Sequence, residues 1–284
     1  MMVWVCFLVV FSGFLFSVFS QKGTPSTVAA SMLDLATLEA FQRKAFFAVG
    51  KFWVFYSDGV DIRYKTSLDG LTWSSATYVC SGGHGQCFSV WFDGIYVHYV
   101  KGPQGIGDVK YRRGEPNMDG SISWSTGEQT IFSSQALYVY EVYISVDSEG
   151  CPWVGYRWGF DGAGRYPNCT KSSLNNGTWR TASGFPYRLS SISTGDWIVS
   201  VVPLTNGKVY AIYLPAGAVR GRIWNGTAWG NEEVVTTAGI IRRFAHSVVA
   251  LGDDVHLSFL EASSFDVLYF KRNWRSGWGS KEVV

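Results

Sequence analysis

Charge is scarce in this chain, and neither sign runs together. Only 16% of the 284 residues are Asp, Glu, Lys or Arg, and the formal net charge is +2. That excludes the basic footprint of a nucleic-acid binder. The four histidines, at positions 84, 98, 246 and 256, stand at no metal-ligand spacing, so no metal is expected. No phosphate-binding glycine loop precedes a helix and no Gly-x-Ser-x-Gly elbow is present, so no nucleotide or other cofactor is expected either. What the chain has instead is 47% hydrophobic residues, 17% aromatics and 32 glycines. This composition rules out disorder and favours many short strands joined by tight turns.

A polar turn ending in tryptophan recurs about every fifty residues, the spacing of a repeat architecture. The copies are Ser67 to Trp73 (SLDGLTW), Asn117 to Trp124 (NMDGSISW), Leu174 to Trp179 (LNNGTW), Trp224 to Trp229 (WNGTAW) and Trp274 to Trp278 (WRSGW). Around the first copy, β-branched and aromatic runs bounded by Gly and Asp read as four strands: Lys44 to Val49, Phe52 to Tyr56, Asp61 to Thr66, and Trp73 to about Val79. The same grammar gives further repeats over Phe88 to Phe132, Val142 to Leu189, Trp197 to Val235 and Ala245 to Val284. A small residue falls at one equivalent place in each first strand: Ala45, Ser89, Ser145, Ser200 and Ser247. Four antiparallel strands per repeat predict an all-β fold, a β-propeller over residues 42–284 with five blades visible and a sixth possible if the chain is incomplete. A β-sandwich of short strands explains the alternation but not the repeated tryptophan turn.

Residues 3–19 are apolar and uncharged, and Val18 and Ser20 are small enough to flank a signal-peptidase cut. Residues 1–20 therefore read as a secretory signal, or else as an uncleaved anchor, the one route to a membrane that the sequence offers. Residues 21–41 read as a linker, with a short helix expected over 30–41. Either way the remainder is expected outside the cytoplasm, where cysteines pair. Cys151 and Cys169 flank a loop centred near residue 160 almost symmetrically, and Cys80 and Cys87 would close a small loop carrying His84; both pairs are expected as disulfides. Asn168, Asn176 and Asn225 each begin an Asn-x-Thr sequon for glycosylation.

The tryptophan turn resembles the Asp-box of the sialidase-like, BNR-repeat propellers. Ser67, Asp69, Gly70, Thr72 and Trp73 stand close to that pattern, one residue shorter between aspartate and tryptophan, and Asp119, Gly120 and Trp124 keep part of it. The last three copies have lost the aspartate. The resemblance implies a structural hairpin between third and fourth strands, on the end of the molecule away from any active site. Function is then sought at the other end, on the second-to-third loops and on the residues preceding each first strand.

Those residues include Arg43, His84, Gln86, Tyr140, Glu141, Asp196, Trp197, Arg242 and Arg243, and the loops add Asp58, Lys101, Arg157, Trp158 and Asp161. Aromatic rings beside carboxylates and Arg suit a sugar, whose ring stacks while its hydroxyls take hydrogen bonds. His84, Arg157, Trp158, Asp161, Asp196 and Trp197 are the candidate ligand-binding set. A sialidase-like enzyme would need an arginine cluster for a carboxylate and a carboxylic acid, and Arg43, Asp58, Glu141 and Arg243 are the candidates, although the Arg-Ile-Pro signature around the family's first arginine is absent. Three functions stay open: a propeller binding a glycan or glycoprotein, a sialidase-like or other glycoside hydrolase, and a structural or adhesive module. Nothing in the sequence sets the oligomeric state. If residues 1–20 are a signal, N-terminal sequencing of the exported product will begin at Gln21; a membrane-bound product retaining those residues would show the anchor instead.

Overall fold

A computed structural model describes residues 26–32, 36–37, 41–82, 84–103, 105–159, 164–193, 199–215, 218–237 and 246–284. Apart from a single 3-10 turn at Gly85–Cys87, its regular structure is antiparallel strand. The first sheet is β1 (Ala45–Ala48), β2 (Lys51–Ser57), β3 (Asp61–Ser67) and β4 (Thr77–Ser81). The second module holds β5 (Phe88–Phe92), β6 (Val97–Lys101), β7 (Gly105–Pro116) and β8 (Ile122–Trp124). The long β9 (Gln129–Val146) leads into the third, with β10 (Pro152–Gly159), β11 (Arg165–Lys171) and β12 (Tyr187–Arg188). The fourth is β13 (Val199–Pro203), β14 (Val209–Tyr213), β15 (Val219–Trp224) and β16 (Glu233–Thr236). The fifth is β17 (His246–Leu251), β18 (Asp254–Leu260), β19 (Val267–Asn273), β20 (Gly277–Trp278) and β21 (Glu282–Val283).

The four-strand grammar therefore reappears five times, with two differences from the sequence reading. First, the second and third modules are one continuous sheet. The start of β9 serves as the outer strand beside β7 (Asp108 opposite Ser133), and its end is the inner strand beside β10 (Ser145 opposite Trp153). No glycine or proline interrupts this stretch, so nothing in it forces a turn between Phe132 and Val142. The change of direction is taken instead at Glu141, which adopts a left-handed φ of 46° opposite a register shift in β10. Second, the described residues of the 26–41 segment form bends and turns, not a helix. They lie against the first module: Ser26 Oγ donates to the carbonyl of Gly70 at 2.6 Å, and Met32 N to that of Asp58 at 3.1 Å.

A sheet buries its apolar faces only against a neighbour, and four core clusters do this in chain order. They join modules one and two (Trp53, Tyr64, Phe88, Tyr99), two and three (Val100, Tyr111, Ile144, Tyr156), three and four (Tyr143, Trp153, Val201, Tyr213), and four and five (Tyr210, Ile212, Leu257, Phe270). Inner strands touch in the same order, β1 to β5, β5 to β9, β9 to β13 and β13 to β17. Polar ties follow them. Tyr64 donates to the Gly120 carbonyl, Arg113 to the carbonyls of Asn175 and Asn176, Gly207 N to Ser148 Oγ, and Arg272 grips Glu233 through two nitrogens.

The equivalent small residues record which faces are covered. Ser89, Ser145 and Ser200 are fully buried, whereas Ala45 and Ser247, in the first and last inner strands, are exposed. Phe47 and Phe52 on module one and Val249, Leu251 and Val267 on module five are exposed as well. Phe41, just ahead of β1, stacks its ring on His246 at the head of β17 at 4.9 Å and belongs to the core between modules three and four.

Trp153 carries the largest share of the third core. It is wholly buried, meets Phe185, Trp224 and Trp229 edge-on at 5.3, 5.8 and 6.0 Å, and donates its indole N–H to Asp147 at 2.8 Å. Trp153→Ala should cost about 3–5 kcal/mol through the cavity left behind. Urea unfolding measures this, and a loss below about 1 kcal/mol would mean that this junction is not a tight core.

Candidate functional site

The tryptophan turns are built for structure. Ser67 Oγ accepts from Gly70 N at 2.8 Å and donates to Asp69, whose carboxylate accepts the backbone N–H groups of Leu71 and Thr72, both at 2.8 Å. Those backbone donors, with Ser67, hold the Asp69 carboxyl down at about 2. Gly70 takes the left-handed φ of 72° that the turn requires, and the Trp73 indole N–H donates to Ser26 Oγ at 3.0 Å. In the second turn Asp119 accepts from the backbone and hydroxyl of Ser121, and Trp124 packs edge-on to Tyr99 at 5.5 Å.

At the inner strands the structure brings Glu141 and Arg157 together and closes them off. Arg157 Nη2 lies 3.5 Å from Glu141 Oε2, with the residues 2% and 1% exposed. A carboxylate so enclosed cannot meet a bulky substrate, so this pair locks β9 to β10. Asp58 is also committed: it accepts from the backbone of Val60 and Asp61 and pairs with Arg63, and these bonds, that from Asp61 foremost, lower its pKa. Arg43 is exposed, with its guanidinium 4.0 Å from the centre of the Trp91 ring. Its neighbours Gln42 and Lys44 are buried: Gln42 donates to the Val142 carbonyl at 2.7 Å and Lys44 Nζ to Gln42 and Gly85 O at 2.8 and 2.7 Å. Trp158 is half-buried against Phe132 and Tyr156. Asp161, Asp196, Trp197 and Arg243 lie outside the described residues.

One open cavity of about 390 Å³ lies at the end away from the tryptophan turns, between the β4–β5 and β6–β7 connections. His84, Lys101, Asp108 and Lys110 line it, together with Gly82, Cys87, Gly102, Pro103 and Gly107. Two glycines shape it. A Cβ on Gly102 would stand 2.9 Å from Val142 Cγ1, and Gly107, at φ 148°, would bring one 2.9 Å from Pro103. Lys101 Nζ is held over Gly82 by donating to the Ser81 carbonyl at 2.5 Å. Lys110 reaches Glu128 only at 3.8 Å, and Asp108 accepts the hydroxyls of Ser133 and Thr130. His84 is exposed and caps nothing with its side chain. The sequence reading names His84 and Lys101 at this end; Asp108 and Lys110, in the third strand β7, are not among its candidates because they lie within a strand and not in a loop.

The expected disulfides are not formed: Cys80, Cys87, Cys151 and Cys169 are buried, and none is bonded to another cysteine. The β10–β11 hairpin pairs Gly159 with Arg165, so its centre falls two residues past the assumed one. Cys169 faces Gly155 as a result, four residues along the strand from Cys151, or about 13 Å, beyond bridging distance. Cys80 instead faces the core between the first two modules, where burial pushes its thiol up to about 12. Asn168 is buried in β11, donating its amide to the Tyr166 carbonyl at 2.7 Å, which withdraws it as an acceptor on the folded chain; Asn176 and Asn225 sit in exposed turns.

These modules define an all-β protein of antiparallel sheets, and its structural neighbours are propeller-type folds. An ulvan lyase of polysaccharide lyase family PL25 matches with a TM-score of 0.59 at 12% identity, over 89% of this chain and 73% of that one. The BP39L lectin from Burkholderia pseudomallei matches with a TM-score of 0.59 at 12% identity, over 88% and 70%. An α-L-arabinanase from Penicillium chrysogenum, complexed with arabinobiose, matches with a TM-score of 0.51 at 12% identity, over 91% and 84%. No family model matches the chain, and no curated protein matches it in sequence.

Two outcomes follow from the inner strands. Arg157→Ala would remove a buried positive charge beside Glu141 and should cost about 3–5 kcal/mol of stability, measured by denaturant unfolding; an unchanged midpoint would contradict a locking role. His246 is wholly buried against Phe41 and Ser200, and burial drops its pKa from 6.5 to about 3. The unfolded chain therefore binds a proton below pH 6.5 that the folded one refuses, so stability is lost as pH falls. His246→Phe should flatten this decline between about pH 7 and 5, read as Tm against pH; parallel curves for the two proteins would refute it.

Proposed function

We propose that the chain is a secreted or cell-surface five-bladed β-propeller that binds glycans, using the cavity beside His84 and Lys101. The observation that supports this most directly is the cavity itself. It is open and preformed, carries charged side chains on a mixed polar and apolar lining, and lies at the end of the sheets left free by the structural turns. The fold adds to it, since its neighbours include a lectin and enzymes whose names refer to polysaccharides. Binding fits these groups better than hydrolysis does. A glycoside hydrolase needs two carboxylates facing one cavity, and the lining here holds one, Asp108, already engaged by hydroxyls.

The test is a glycan array read beside a panel of fluorogenic glycosides. Wild-type protein should retain at least one saccharide class, His84→Ala should weaken that binding by about tenfold without lowering Tm, and no glycoside should be turned over. Turnover, or an array with no bound glycan, would overturn the reading.

A further inference from the structure

Resting on the glycan-binding reading, we propose that this cavity selects saccharides carrying an anionic group, a carboxylate or a sulfate ester, received by Lys101 and Lys110. Among the described lining residues there is no Trp, Tyr or Phe. These residues therefore offer no broad face on which a neutral sugar ring stacks, and their recognition falls to charge and hydrogen bonds.

Charge in the cavity is unbalanced toward the positive. Lys101 is oriented by a carbonyl, which fixes the ammonium in place without neutralising it. Lys110 is one-third exposed and meets Glu128 at 3.8 Å, the outer limit of an ion pair, while Glu128 also accepts the Tyr99 hydroxyl at 2.7 Å. A pair so long and exposed is weak and yields to a better anion. Asp108, the acidic side chain among the described lining residues, has both oxygens turned to Ser133 and Thr130. His84 adds a further donor at the rim. Two ammonium groups over a glycine-lined floor give an anion direct access to charge and to open backbone, an arrangement that favours charge-assisted hydrogen bonds.

Calorimetric titration with three polysaccharides tests this: polygalacturonate for the carboxylate, dextran sulfate for the sulfate ester, and dextran as the neutral control. At low ionic strength at least one acidic polymer should bind about tenfold or more tightly than dextran, with affinity falling as salt is added. Lys101→Gln combined with Lys110→Gln should remove that preference, whereas Arg275→Gln combined with Lys281→Gln, an equal change of charge on exposed residues elsewhere, should leave it. Arg at both positions should restore it, and Tm of each variant checks the fold. The two acidic polymers show which anion is taken. Dextran binding as tightly as both would overturn the charge selection and leave the glycan-binding reading standing. Acidic binding unmoved by the double substitution would overturn the placement on these lysines. No binding of any polymer, together with an empty glycan array, would overturn both.

Discussion

Everything in this molecule depends on a four-stranded sheet being unable to bury its own two faces. Each module presents one apolar face forward and one back, and the successive cores, from Trp53 and Phe88 to Tyr210 and Phe270, exist because a neighbour supplies the missing half. Inner strands are forced into close contact by this stacking, which is why Ser89, Ser145 and Ser200 are small and wholly enclosed. The covering ends at the first and fifth modules. There the equivalent residues Ala45 and Ser247 are exposed, and Phe41, ahead of β1, meets His246 at the head of β17.

The same packing decides where chemistry can occur. At the inner strands, density closes the Glu141–Arg157 pair away and turns two functional candidates into a fastening between β9 and β10. Asp58 and Asp69 are spent on backbone N–H groups in turns, where they serve geometry. Space remains at the edge of a junction, where Gly102 and Gly107 keep the backbone slender beside Val142 and Pro103. The charged groups there are Lys101, held by a carbonyl, Lys110, in a long ion pair, and Asp108, engaged by hydroxyls.

Much of the fold was legible in the sequence because its signals are local. Alternation and glycine turns placed β1, β2 and β3 within a residue or so. His98 and His256 stand in the second strands of their modules, and the structure gives each the same partner, the hydroxyl of a third-strand tyrosine, Tyr111 or Tyr269. The continuity of β9 was hidden because a strand that leaves one sheet and enters the next carries no local mark. The cysteines misled for a related reason: hairpin register depends on where the turn closes, and a shift of its centre by two residues moves Cys169 four residues from its supposed partner.

By itself the sequence determined the repeat, the strand content and the positions of the tryptophan turns. These follow from side-chain periodicity and turn chemistry, which act over a few residues. Burial was decided only by the tertiary structure. Whether Glu141 faces solvent or Arg157, whether a cysteine meets another, and whether Lys101 and Lys110 share a cavity all depend on how separate strands and modules lie against one another, through contacts between residues far apart in the chain.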